Sequence, residues 1–371
     1  MLFRSLLALA NGIAHGFGCV LFPEGTSHSE SHMIRFKTGP VRTVLAAAAL
    51  AKANDLPLPQ LIPVGLHFRT REHFRTDQYI EFGEPISLDT SLVPDEMVEA
   101  VRSGGWVEPP AASVHTIRDQ LQSVLPLMTP HTSSWDEHRG LHLLAHLEAR
   151  SSGHSLRSWQ EEVHAARTLR TAWPNRTEAF PPEPLEDERM VKASMAANAL
   201  NKHGLDGRDI NATGTGMKRA NPIRSPIALI WWTMFILLFP FFITSLGLQV
   251  LLGRLLGDST DEGLDARTSY QFLAAFFGSL LVWPVVALGW TAAVWFNQGA
   301  VGDLLGLSNN WLTSVAGSSW SGLLLVYLMC FPLFWASGKA FAGAWDAWVD
   351  TRKAWKRRFM KRDEKEQLCR W

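Results

Sequence analysis

From Ile227 to Leu252 the chain carries no charged side chain and is predominantly apolar, over a length that meets the roughly 20 residues a helix needs to cross a hydrocarbon core. This part of the chain has lipid as its solvent, where a helix satisfies its own backbone groups. Phe272 to Phe296 repeats the pattern, with Pro284 expected as a tolerated kink. A weaker third stretch, Leu312 to Ser337, contains several serines and the glycines Gly317 and Gly322, and is expected to span or to re-enter. Of the 16 tryptophans most lie beyond Ser225, which suits membrane interfaces, where an apolar ring body carries a wet N–H.

Basic residues set the expected orientation. Lys218, Arg219 and Arg224 precede the first span, and Arg352, Lys353, Lys356, Arg357, Arg358, Lys361 and Arg362 crowd the C-terminus, so both ends are expected in the cytosol. That demands an even number of crossings against three candidates. Phe341, Trp345, Trp348, Trp355 and Phe359 recur at helical spacing among these cations, which predicts an amphipathic tail lying on an anionic membrane surface.

Elsewhere the chain has the texture of a water-facing domain. Lysine plus arginine equals aspartate plus glutamate, 35 of each in 371 residues, so no basic excess points to nucleic acid as a partner. Cys19, Cys330 and Cys369 are widely spaced and odd in number, which argues for neither a disulfide framework nor a metal site. The opening MLFRSLLALA imitates a signal peptide, but it runs on through Asn11, Gly12, His15 and Gly16 into the polar motif that follows, and is read as a helix.

That motif is CVLFPEGTSHSESHMIRFKTG, Cys19 to Gly39. Cys19 to Phe22 reads as a short buried strand stopped by Pro23 and Gly25, with Glu24, Thr26, Ser27 and His28 at its exit. On local pattern alone, a polar turn in which Glu24 caps backbone amides is the preferred reading. A helix is expected from Val41 to about Ala53, then a strand over Gln60 to Phe68, whose Pro63 suits an edge or bulge, and a third strand over Tyr79 to Phe82. Strand, helix and strand at this spacing predict a parallel pair with a crossover helix, an α/β layer. From Leu88 to Arg224 the prolines multiply. Helices are expected over Val114 to Leu125 and Trp135 to Ala149, with Ser133 or Ser134 as cap, and Pro174 to Asp209 is expected to be partly loose linker.

FPEGT, with Ser27, His28, Lys37 and Gly39 after it, IPVGL at Ile62 to Leu66 and IEFGEPI at Ile80 to Ile86, resembles the PlsC-like glycerolipid acyltransferases. The order and rough spacing resemble the fungal-type glycerol-3-phosphate and dihydroxyacetone-phosphate acyltransferases, from about Phe17 to Ile86. The resemblance implies an α/β acyltransferase core, incomplete at its N-terminus, followed by a helical and linker region and a transmembrane helical segment. The expected boundaries are 1–88 for the core, 89–224 for the linker region, 225–338 for the spans and 339–371 for the tail. It implies acyl transfer from acyl-CoA to glycerol 3-phosphate or dihydroxyacetone phosphate at a membrane, expected to be the endoplasmic reticulum, with acyl-CoA a co-substrate and no cofactor or metal.

By the same resemblance Glu24, Gly25, Thr26, Ser27, Lys37 and Gly39 form the acceptor site, and Ile62, Pro63, Val64 and Gly65 the acyl side. A lysine ammonium suits a phosphate, and a glycine lets backbone approach it. Where many relatives have an arginine after the threonine, this chain has Ser27; Arg35 stands in the same loop, read as a compensating cation or a solvated one. The family's general base, a histidine followed five residues later by an aspartate, belongs to a block upstream of FPEGT; here His15 is the sole histidine before Phe22 and no aspartate precedes it. The expectation is therefore an acyltransferase chain that is truncated and inactive as given, with a non-catalytic membrane-anchored remnant that binds lipid phosphate or a partner as the alternative. His131 and Asp136 in PHTSSWD have the right interval but come after both blocks, and are read as a coincidence.

Overall fold

The computed structural model describes residues 2–26, 28–70, 75–88, 90–174, 180–219, 224–259, 264–296 and 320–361. It divides into a unit built from Met1–Lys218, with Lys361, and a second from Arg219–Met360. The described residues are mostly helical.

In the first unit, helix α1 (Leu2–Ala14) seats Ala10 against Ala46 and Ala47 of α2 (Thr38–Ala53). The alanine-rich body of α2 has high helix propensity, and its small side chains let neighbouring helices approach. Val41, Val44, Leu45 and Ala48 continue into a core with Met97 and Val98 of α3 (Asp95–Arg102) and Val114, Ile117 and Leu121 of α4 (Ala111–Val124). A second core joins α5 (Trp135–Ser151), α6 (Trp159–Thr171) and α7 (Glu188–Lys202) through Leu141, Leu144, Ala145, Ala166, Met190 and Ala193. Of the two proposed caps for α5 it is Ser134 that accepts from the Glu137 amide.

Two sequence expectations change here. The described residues contain two strands, β1 (Val64–Phe68) and β2 (Gln78–Phe82), paired antiparallel in register Val64↔Phe82 to Phe68↔Gln78, in place of a parallel pair. Cys19 to Phe22 forms no ladder among the described residues, and Val20 and Phe22 are 77% and 64% exposed rather than buried. A strand is stable through its partner, and β1 is paired with β2 instead. Pro174 to Asp209, expected to be partly loose linker, contains a helix. Asp187 caps α7, whose Met190, Ala193, Ala196, Ala197 and Leu200 are buried along one face; the stripe is too mildly apolar to stand out among charges and prolines.

The hairpin carries its polar face inward. Gly65 turns toward Met128, and His67, Tyr79 and Glu81 toward α5 and α6, while Leu66, Phe68, Ile80 and Phe82 stand exposed. Alternation of period two sorts residues into two faces but does not say which is covered.

Among the described residues the second unit has three helices long and apolar enough to cross a membrane. The first runs from α8 (Arg224–Phe242) through a π-helical turn at Ile243–Gly247 into α9 (Leu248–Asp258). Pro240 lies just before that turn, and the Thr244 and Ser245 hydroxyls donate to the Pro240 and Phe241 carbonyls, the local repair a proline-bearing span needs. The second is α10 (Leu264–Phe296), with Pro284 inside it. The third, α11, is one continuous helix from Trp320 to Phe359, so the basic aromatic tail is not a separate interfacial helix; Leu312 to Ser319 lie outside the described residues. The helix runs unbroken through Gly338, and 40 residues make a rod of about 60 Å. That is about twice the ~30 Å hydrocarbon core, so the cationic half belongs outside it. Glycines set the helix contacts: a Cβ on Gly343 would sit 2.2 Å from the Trp231 ring, and one on Gly253 2.8 Å from Gln271 Cα.

Candidate functional site

Glu24 organises the loop that joins α1 to α2. Its Oε1 accepts the Ile34 amide at 2.7 Å and lies 2.8 Å from His28 Nε2. The His28 Nδ1 accepts from the Glu30 amide at 3.2 Å, which fixes the proton on Nε2, so the ring donates to Glu24. Both nitrogens are thus engaged in holding the loop, and His28 positions Glu24 rather than presenting a lone pair to a substrate. The loop closes where the Lys37 amide donates to the Pro23 carbonyl at 2.7 Å.

That closure brings the acceptor-side residues together at the start of α2. Gly25 takes a left-handed φ of 65°, and a Cβ there would meet Lys37 Cγ at 3.1 Å, so glycine is needed for both turn and approach. Lys37 is the N-cap of α2 and makes no side-chain cap bond; Gly39 lies in the first turn with nothing within 4 Å of where a Cβ would point. A cation, an open glycine and the amide end of a 16-residue helix adjoin one another, a combination that favours an anion. Thr26 and Arg35 are exposed in the same loop, while Ser27 lies outside the described residues.

The acyl-side block leads into β1. Ile62 is exposed, Pro63 is buried and its carbonyl accepts from the Gly83 amide at 2.9 Å, and Val64 opens the strand. Gly65 is pressed against the chain after α4: a Cβ would lie 2.1 Å from the Met128 carbonyl oxygen. What the two blocks share is a core. Leu21 beside the first and Leu61 beside the second both pack on the cluster of Met33, Phe36, Val41 and Leu45.

Residues far along the chain hold this arrangement in place, and the sequence reading missed them. Ser31 Oγ donates to the Thr132 carbonyl at 2.7 Å and Trp135 Nε1 to the Ser29 carbonyl at 2.7 Å, so the segment before α5 braces the Glu24 loop. His131 belongs to this brace, buried with its ring stacked on Phe180 and edge-on to His32. Asp136 instead points to Arg139, so the interval of five joins no catalytic pair.

Beneath the hairpin lies a buried polar layer. Arg69 grips Glu162 with two bonds of 2.6 and 2.7 Å and stacks 4.3 Å over the Trp159 ring. Arg167 donates to Glu81 at 2.8 Å, and Arg170 donates to the carbonyls of Pro126 and Thr129. His138, His142 and His146 follow one another up α5 at intervals of four, with His142 stacked on Trp159 and His146 Nε2 3.2 Å from Glu162. Burial and the nearby Arg167 push His67 down to about 4, against the pull of Glu81; burial, with Arg170 next, pushes His138 down to about 3. Burial and then His138 hold His142 well below the usual imidazole range. For Glu162 burial works upward, but hydrogen bonds from His146 and Arg69 outweigh it and keep the carboxyl ionised. Among the described residues no three of His, Cys, Asp and Glu converge to hold a metal. His67, His138 and His142 are thus held as neutral rings among ion pairs. Periodicity of histidines along α5 was its one visible sequence signal.

No family model matches the chain, and no solved structure matches it. Curated proteins do, over a short stretch. The chain is 38% identical over 76 residues to glycerol-3-phosphate O-acyltransferase 2 of Saccharomyces cerevisiae, covering 20% of this chain and 10% of that protein. It is 35% identical over 81 residues to an uncharacterised acyltransferase of Schizosaccharomyces pombe, covering 22% and 12%. To glycerol-3-phosphate O-acyltransferase 1 of Saccharomyces cerevisiae it is 30% identical over 81 residues, covering 22% and 10%. The chain is related to acyltransferases. The relationship holds over about a fifth of its length, and the aligned stretch spans only 10–12% of the relatives' own length.

Proposed function

We propose that the chain serves O-acyl transfer from acyl-CoA to glycerol 3-phosphate or dihydroxyacetone phosphate in glycerophospholipid synthesis, at the cytosolic face of the endoplasmic reticulum. The observation that carries this is the loop around Glu24, which sets Lys37, Gly39 and the amide end of α2 side by side in a chain related to acyltransferases and bearing membrane-length helices. In this reading Lys37 and the α2 amides take the acceptor's phosphate, Glu24 accepts from its hydroxyl or from the residue that orients it, Thr26 and Ser27 complete the loop, and Ile62 to Gly65 lie on the acyl side. No cofactor or metal takes part.

One observation favours a second reading. His28 is occupied at both nitrogens, and His131 and Asp136 face different partners, so neither supplies a base beside Glu24. The chain then binds the acceptor phosphate without turning it over.

The deciding experiment uses the full chain in lipid nanodiscs. Glycerol 3-phosphate binding by calorimetry and transfer from labelled acyl-CoA are measured on the same preparation, with Lys37→Ala and Glu24→Gln. Binding that both variants weaken, with turnover, supports the enzyme; the same binding without turnover supports the second reading. Absence of binding overturns both.

A further inference from the structure

A cavity lies away from the Glu24 loop, between α5, α7 and the turn after α7. It measures about 320 Å³, near the lower end of the ~300–1,000 Å³ range of small-molecule sites. Protein interiors rarely leave voids much larger than a water molecule. The space exists because α7 presents Ala193 and Ala196 opposite Leu143, Leu144 and Leu147 of α5, where larger side chains would fill it.

Its third wall is a firm turn. Ile210 and Met217 form an antiparallel bridge, the Asn211 amide donates to Gly216 at 2.7 Å and the Lys218 amide to Asp209 at 2.7 Å. Gly214, at a φ of 74°, brings that turn onto Leu147, with a would-be Cβ 3.4 Å from Leu147 Cδ2. The interior is apolar, and the charged lining is confined to Glu188, Arg189 and Lys192, two cations against one carboxylate. Lys192 pairs with Glu188 at 2.6 Å and Arg189 approaches Glu148 at 4.0 Å, both pairs exposed, and exposed pairs exchange readily for a ligand anion. In the sequence, six residues separate Met217 from Arg224, where the first membrane-length helix begins, so the chain that walls the cavity leads into lipid.

We propose that this cavity binds a single-chain lipid with an anionic head, its tail among Leu143, Leu144, Ala196, Leu200 and Met217 and its head at Arg189 and Lys192. One acyl chain suits the volume; a two-chain lipid does not. The site is independent of the acyltransferase reading, since it is read by binding and involves none of the acceptor-site residues.

The test uses the full chain in phosphatidylcholine nanodiscs with diazirine-bearing palmitate, crosslinked and mapped by mass spectrometry. Label is expected on 143–147 and 193–200, competed by lysophosphatidate and by oleate at least about tenfold better than by lysophosphatidylcholine, the order of loss expected when a charge-assisted contact is missing. Ala196→Trp, which fills the cavity, should abolish that label; Lys192→Glu, an exposed change that leaves the core intact, should erase the preference for anionic competitors. Label confined to the membrane helices overturns the proposal. So does equal competition by lysophosphatidylcholine, or labelling of 143–147 and 193–200 that neither variant alters.

Discussion

Arg69 and Glu162 are joined by two parallel hydrogen bonds, Nη1 to Oε2 at 2.6 Å and Nη2 to Oε1 at 2.7 Å, with the carboxylate 3% exposed. This pair fastens the end of β1 to α6, and so explains how a hairpin with its apolar side outward stays attached to the helices. Removing one partner leaves a buried charge uncompensated, so Glu162→Ala should destabilise the fold by about 3–5 kcal/mol. Replacing both, Arg69→Leu with Glu162→Leu, should recover much of that. Denaturation midpoints of the two variants in the same nanodiscs check it; a double variant no better than the single one would mean that the remaining partners of the layer, not the pair, dominate.

Gly65 permits a contact no other residue allows. With the Met128 carbonyl 2.1 Å from where a Cβ would stand, Gly65→Ala must push backbone apart. A loss at the upper end of the roughly 1–3 kcal/mol typical of overpacking is expected, whereas Gly39→Ala, in open space, should be far milder. Equal midpoints for the two would show that the close approach is not maintained.

Acid should loosen the histidine layer. His67 is held at about 4 and His138 at about 3, against 6.5 for a free ring, so between those limits the unfolded chain binds more protons than the folded one. Their neutral packing is fully favourable above about pH 6.5 and is lost progressively as pH falls toward 4. Arg167 and Arg170 face these rings and strengthen the effect, while Glu81 opposes it at His67. Thermal midpoints should fall steadily from about pH 7 to 5, and His138→Gln, which cannot titrate, should flatten that slope; an unchanged slope would remove His138 from the account.

Glu24→Gln keeps an oxygen for the Ile34 amide and removes the charge that His28 meets and that, in the proposed function, the acceptor meets. Glycerol 3-phosphate binding should weaken about tenfold, the order of one charge-assisted hydrogen bond, with little change in melting. A matching fall in melting temperature would make Glu24 a fold residue instead.

Asn211 and Thr213 form a glycosylation sequon in the unit proposed to face the cytosol, as do Asn175 and Thr177, which lie outside the described residues. Asn211 Oδ1 already accepts from Thr213 Oγ1 at 3.0 Å and from the Thr215 amide at 3.1 Å. Expression in a eukaryotic cell followed by endoglycosidase digestion should give no mobility shift. A shift that disappears with Asn175→Gln and Asn211→Gln would place this unit in the lumen and reverse the proposed orientation.

The amino-acid sequence by itself determined the apolar helices, because uncharged runs of bilayer length have few other stable forms, and it determined α2, because alanine-rich segments are helical wherever they pack. It also marked the Glu24 loop, since Pro23, Gly25 and Gly39 restrict backbone locally. Tertiary structure alone decided what each face meets. Whether Cys19 to Phe22 joins a sheet depends on a partner strand, the hairpin's polar side turned inward because Arg69, Arg167 and Glu162 offer it charge and hydrogen bonds, and α7 took its place in the partly linker region because α5 covers its alanines. Those choices rest on residues tens of positions apart, and neither local propensity nor periodicity carries information over that separation.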